Sequence, residues 1–217
     1  MLNRHSDGEF KTGSYQDTAS EEVLSSLVMR EFRHRIANTL TVLHSSLRQQ
    51  LATNPDRSLQ EALRRHEKQT MAVADLHRFF ARDIGEGEIL IEPYFQSLCE
   101  LLSRSVLAPL GLRCETFIVN SFLSVEKCEL LGLIVAELVM NAAKHAFPRE
   151  TRGCVRIEIG VCKAYWRCLV SDDGAGMQNP SPGCGSDITD KLINALGARS
   201  AIHSGPDGTA VSMVFSS

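Results

Sequence analysis

Two long amphipathic stripes dominate the first third of this 217-residue chain and limit what it can fold into. Leu24, Val28, Phe32, Ile36, Leu40, Leu43, Leu47 and Leu51 recur at steps of three or four, the period of one helix face. Ser20 stands at the N-cap position, and Glu21 and Glu22 fill the first turn, where the helix dipole favours acids. The turn TNPD at 53–56 ends that helix, and Leu59, Leu63, His66, Thr70, Val73, Leu76 and Phe80 mark a second one up to Arg82. A helical hairpin with one apolar face per helix has no core of its own. Pairing with a second copy into a four-helix bundle covers both stripes, so the pattern predicts a homodimer.

Charge and cysteine usage narrow the function classes. A net charge of -3 provides no basic field of the kind that draws proteins to nucleic acid or anionic lipid. Seven cysteines without a CxxC pair read as small hydrophobes in a reducing compartment rather than as a disulfide framework. No apolar run reaches the roughly 20 residues of a membrane-spanning helix, and the polar start MLNRHSDGEFKTGSYQDT lacks a signal-peptide core. The expectation is a cytoplasmic protein with no membrane or nucleic-acid partner.

The remainder divides by pattern. Residues 1–19 are polar and aperiodic and read as a disordered tail, residues 20–83 as the hairpin, and residues 88–217, after the linker DIGEGE, as a mixed α/β domain. In that domain the spacing predicts a helix over 93–107, a β-rich stretch at 112–120, and a helix containing ELVMNAAKHAF. Strands at 155–162 and 166–174, a helix over 188–196 and a final strand AVSMVF follow. Trp166 reads as a packing residue.

Three constellations carry chemistry. Glu137, Asn141, Lys144 and His145 fall at i, i+4, i+7 and i+8 on one helix face, while Leu133, Ile134, Leu138 and Val139 point inward. An amide or carboxylate oxygen there suits a hard cation such as Mg²⁺, and Lys suits phosphate; a solvated surface face fits the same spacing. In CLVSDDGAGM an apolar strand ends at Asp172, with Gly174 and Gly176 just beyond. A carboxylate placed so can accept from an exocyclic amine and the glycines admit a ligand closely, although a hairpin turn looks alike. Gly183 and Gly185 then precede a helix N-terminus, which favours phosphate, in a pattern common to many loops.

In this order the three segments resemble the N, G1 and G2 boxes of the GHKL ATP-binding fold of histidine kinases, gyrases, Hsp90 and MutL, and GTAVSMVF resembles its last strand. The resemblance implies an α+β chain in which a two-helix hairpin, forming a dimeric four-helix bundle, precedes a GHKL (Bergerat-type) α/β sandwich. It implies ATP and Mg²⁺ as cofactors, with Asn141 as the metal residue and Asp172 reading adenine. Gly174, Gly176, Gly183 and Gly185 would shape the lid, Lys144 and His145 would sit near the phosphates, and Glu137 and Thr209 would complete the pocket.

The first helix selects the branch. MREFRHRIANTL puts Glu31, His34 and Asn38 on one face, with His34 roughly opposite Phe32 and Ile36 and therefore exposed. The segment resembles the phosphoacceptor helix of histidine kinases, nearest the HWE-like subclass with its HRxxN run, and the KHAF ending of the N box agrees. By that resemblance His34 accepts phosphate, base assistance comes from Glu31 or from no residue at all because Arg35 follows His34, and Asn38 orients water for the reverse phosphatase reaction. A response-regulator receiver domain becomes the partner. Twenty polar residues form no sensor domain, so a sensorless kinase taking its input from another chain is expected. Only six residues separate Gly176 from Gly183 and acidic SDITDK follows. A short lid of this kind leaves open a histidine phosphotransferase or phosphatase adaptor with weak or no ATP use; a GHKL serine kinase binding a sigma factor is a third reading.

Overall fold

The computed structural model describes residues 36, 38–49, 57–82, 84–147, 152–176 and 186–217. The expected helix start at Ser20, the TNPD turn, Glu31, His34, Gly183 and Gly185 lie outside the described residues.

Residues 38–49 form helix α1, and Arg57–Phe80 forms α2. Arg78 Nη2 donates to Thr41 Oγ1 at 2.9 Å, while Glu67 Oε1 lies 3.1 Å from His44 Nε2 and 3.6 Å from Arg48 Nε. Advancing along α1 from Thr41 to Arg48 thus means retreating along α2 from Arg78 to Glu67, the antiparallel hairpin that the stripes predict. Leu40 and Leu47 are half-buried. Val42 and Leu43 remain 69% and 51% exposed, and Val73 on α2 is exposed too.

The last turns of α2 bury Leu76 and Phe80 of the predicted stripe and add Ala72 and Phe79 to it, while Val73 of the stripe is left exposed. Ala72, Leu76, Phe79 and Phe80 are buried, and the last three join the core of the α/β part. Helix α3 (Ile91–Leu102) covers them, with Tyr94 set 5.1 Å from Phe79 between ring centroids. The chain leaves α3 through one π turn (Ser103–Leu107) and a 3-10 turn (Ala108–Leu110). Gly111, at φ 75°, closes this run in the left-handed region that glycine tolerates best.

Two sheets complete the architecture. Strand β1 (Glu88–Leu90) pairs antiparallel with β3 (Phe122–Ser124). The main sheet comprises β2 (Leu112–Ile118), β4 (Gly153–Cys162), β5 (Tyr165–Asp172), β6 (Arg199–Gly205) and β7 (Gly208–Ser216) in the order β2-β4-β5-β7-β6. Only the β2–β4 pair is parallel. Helix α4 (Val125–His145) and helix α5 (Ser186–Ala195) join α3 in this α/β part, packed against each other.

Side chains alternate across the sheet, so Val155, Ile157 and Ile159, then Trp166, Cys168 and Val170, then Val211, Met213 and Phe215 point into the core. Trp166 is stacked on Phe215 with 6.3 Å between centroids, the packing role read from its strand position. The other face is open, as in a two-layer sandwich. Strands β1 and β3, three residues each, are too short to show a period, and β6 is exposed almost throughout and lacks the alternation that would reveal it.

Candidate functional site

Helix α4 sets one wall. Ser124 caps it, its hydroxyl accepting from the Lys127 N–H at 3.4 Å, and Ile134 and Val139 are fully buried. Leu133 and Leu138, expected inside, are only half-buried. Glu137 and Asn141 are half-buried on the opposing stripe, while Lys144 and His145 are exposed in the last turn, where cations complement the dipole. Among the described residues nothing hydrogen-bonds the Asn141 amide or the Glu137 carboxylate. Desolvation alone pushes the Glu137 carboxyl above its ordinary value.

Strand β5 delivers the second wall. Asp172 ends the strand on the helix side, and its Oδ1 accepts two backbone N–H groups, from Gly174 at 3.0 Å and Thr209 at 3.2 Å. The other oxygen, Oδ2, has no protein partner among the described residues. Half-burial raises the Asp172 carboxyl, and the two N–H bonds oppose that rise. Thr209 is buried and its hydroxyl lies 2.9 Å from that of Ser204 on β6.

Backbone proximity ties these walls together. The Ala175 N–H donates to the Ala146 carbonyl at 2.8 Å, which fastens the loop after Asp172 to the end of α4, five residues beyond Asn141. A Cβ at Gly174 would stand 2.4 Å from that same carbonyl, so only glycine permits the approach. Gly208, at φ 120°, packs against the Asp172 carbonyl just as tightly. The structure thus brings Asp172, Gly174, Gly176 and Thr209 together beside the end of α4, with Asn141 and Glu137 further back along that helix. Asn38 lies elsewhere, exposed on α1.

Sequence reasoning missed the carbonyl of Ala146, the Ser204 hydroxyl and the carbonyl of Gly205, which lies 2.0 Å from where a Cβ on Gly176 would sit. The turn GPDG at 205–208 was the available signal for the last.

A family model described as histidine kinase matches residues 31–106. This segment belongs to the histidine kinases. The matched span runs through α1, α2 and α3, which agrees with the core shared by the end of α2 and α3. Sensor histidine kinase PdtaS of Mycolicibacterium smegmatis is 25% identical over 187 residues, covering 83% of this chain and 37% of that protein. Blue-light-activated histidine kinase 2 of Erythrobacter litoralis is 35% identical over 95 residues, covering 41% of this chain and 28% of that one. The chain therefore spans less than two fifths of the length of these curated relatives.

Among solved structures, the histidine kinase domain of the Erythrobacter litoralis EL346 blue-light activated histidine kinase superposes with a TM-score of 0.57 at 20% identity, covering 81% of this chain and 95% of that one. A structure described as a bacterial phosphotransferase gives 0.53 at 14% identity, covering 88% of this chain and 95% of that one. These likenesses establish the fold: a helical hairpin followed by a GHKL-type α/β sandwich. Among the described residues no helix is long and apolar enough to cross a membrane.

Proposed function

We propose that this chain is the kinase part of a cytoplasmic two-component signalling protein, which phosphorylates its own His34 from ATP and passes the phosphoryl group to an aspartate of a response-regulator receiver domain. The observation that carries this reading is the Asp172 clamp: two backbone N–H groups occupy Oδ1 and leave Oδ2 as a fixed, half-buried acceptor. Adenine presents an exocyclic amine to such an acceptor, and the close backbone approaches of Gly174 to Ala146 and of Gly208 to Asp172 hold the chain around it. On α4 the Asn141 amide and Glu137 carboxylate are half-buried oxygen donors without partners among the described residues, a set that fits Mg²⁺. The metal would neutralise phosphate charge; Lys144 would add a point charge, and Gly183 and Gly185 the lid.

In this reading a neutral imidazole nitrogen of His34 attacks the γ-phosphorus in line, the bond to the β-phosphate oxygen breaks, and ADP leaves. The imidazole proton passes to Glu31 or to water. Asn38, exposed one turn further along the helix, orients water against a phosphorylated receiver and supplies the reverse phosphatase reaction. Two chains pair through the hairpin.

Incubation of the pure protein with γ-labelled ATP and Mg²⁺ tests this directly. Acid-labile, base-stable label that disappears in His34→Ala supports the kinase; label that persists in that variant removes His34 from its role. Asn38→Ala should leave labelling unchanged and slow receiver dephosphorylation about 10- to 100-fold, the loss of one positioned hydrogen bond.

The six-residue interval between Gly176 and Gly183 favours a second reading, a phosphotransferase or phosphatase adaptor making little use of ATP. Absence of label from ATP, together with label acquired from a phosphorylated receiver, would select it.

A further inference from the structure

A cavity of about 520 Å³ opens where β2 and β4 begin, lined by Gly111, Arg113, Arg152, Gly153 and Asp173. The parallel register sets Leu112 beside Gly153 and Arg113 beside Cys154, so Arg152 stands two positions before Arg113's partner, and both arginines line the cavity from neighbouring strands. Both side chains are exposed, and neither forms a salt bridge among the described residues. Glu115, two positions along from Arg113, is already held by Arg156 through Nη2 at 2.8 Å and Nε at 3.2 Å. Asp173 forms the opposite wall, its Oδ1 accepting the Cys154 N–H at 2.6 Å. Asp172 points with Val170 to the helix side of the sheet, whereas Arg113 and Cys154 alternate to the open side.

We propose that this cavity is a second binding site, one for the phosphoryl group of a small phosphomonoester. Two guanidinium forks offer more paired donors than a carboxylate with two oxygens can use, and match the three terminal oxygens of a phosphomonoester. Two cations against one carboxylate suit a single phosphoryl group better than a triphosphate, because each added negative charge meets Asp173. The volume lies within the range of roughly 300 to 1,000 Å³ common for small-molecule sites. Glycine at 153 is required to form the wall, since a Cβ there would meet the Phe147 ring and stand 2.9 Å from Asp173 Oδ1.

The test is calorimetric titration of the full chain, free of nucleotide and held in EDTA at constant ionic strength, with glycerol 3-phosphate as the probe. Saturable binding is expected, and Arg113→Gln and Arg152→Gln should each weaken it about tenfold through loss of a charge-assisted pair. Asp173→Asn should tighten it, because the like charge goes while the amide oxygen still accepts from Cys154. Asp172→Asn should change it far less than Asp173→Asn does, even if the kinase reading fails. The proposal is overturned if the probe does not saturate, if the two arginine variants bind as the parent does, if equimolar chloride displaces the probe, or if Asp172→Asn abolishes binding.

Discussion

The backbone N–H of Thr209 donates to Asp172 Oδ1 at 3.2 Å, and the same two residues face each other as a register pair of β5 and β7. Together with the Gly174 N–H this fixes the rotation of the carboxylate and so the direction of Oδ2. Asp172→Asn keeps an acceptor at Oδ1 and puts an NH₂ donor where adenine also presents a donor. Affinity for ADP, measured calorimetrically, should fall about 10- to 100-fold, equivalent to a lost hydrogen bond to a charged group plus an unpaired donor, with an unchanged circular dichroism spectrum.

Acid should weaken the same interaction. Half-burial raises the Asp172 carboxyl above its ordinary 3.8, so on acidification it gains its proton sooner than an exposed aspartate, and a protonated Oδ2 turns from acceptor to donor. ADP affinity should therefore decline as pH falls through that raised value, and a titration in which affinity holds constant down to 3.8 would contradict it.

Glu137 has the same sign of shift and shows it in stability. Desolvation holds its folded-state carboxyl above 4.5, so the folded chain binds the proton more tightly than the unfolded one does. That contribution to stability is present below 4.5 and is lost as pH rises through the folded value. Glu137→Gln should accordingly raise the melting temperature of the nucleotide-free protein at neutral pH, and the difference should close on acidification toward 4.5.

Glycines at the site and away from it should respond in opposite ways to alanine. At Gly174 a Cβ would sit 2.4 Å from the Ala146 carbonyl, which also anchors Ala175, so Gly174→Ala should cost about 1 to 3 kcal/mol and lower ADP affinity as the loop shifts. Gly160, in β4, has nothing within 4 Å of an added Cβ, and Gly160→Ala should be neutral or stabilising. Denaturant melts of the two variants compare them directly.

Phe80 is 6% exposed, and the Cβ of a residue replacing Gly132 would come within 3.2 Å of its ring, so α2 ends inside the core of the α/β part. Phe80→Ala should destabilise by about 3 to 5 kcal/mol, as for other buried aromatic truncations. Hairpin and sandwich should lose that stability together. Leu43, 51% exposed, should behave differently: Leu43→Asp should convert a dimer to a monomer in sedimentation while leaving the nucleotide pocket folded.

What the sequence determined by itself was everything that depends on period and order. The 3.6-residue stripes specify α1 and α2, strict alternation specifies β4, β5 and β7, and the order of Asn141, Asp172 and the glycines after it specifies the fold family, because each of these signals is local to its own segment. Strands β1, β3 and β6 left no such trace, since three-residue strands and an exposed edge carry no amphipathic pattern. Only the tertiary structure decided that α2 turns its last buried face, Leu76, Phe79 and Phe80, toward α3, because a helix stripe shows that a face will be covered and not by what. Only it decided which oxygen of Asp172 stays open, because Gly174, Thr209 and Ala146 meet there from three separate stretches of chain. The pairing of Arg113 with Arg152 across one cavity has the same origin: β2 and β4 are neighbours through a parallel register that no spacing along the chain encodes.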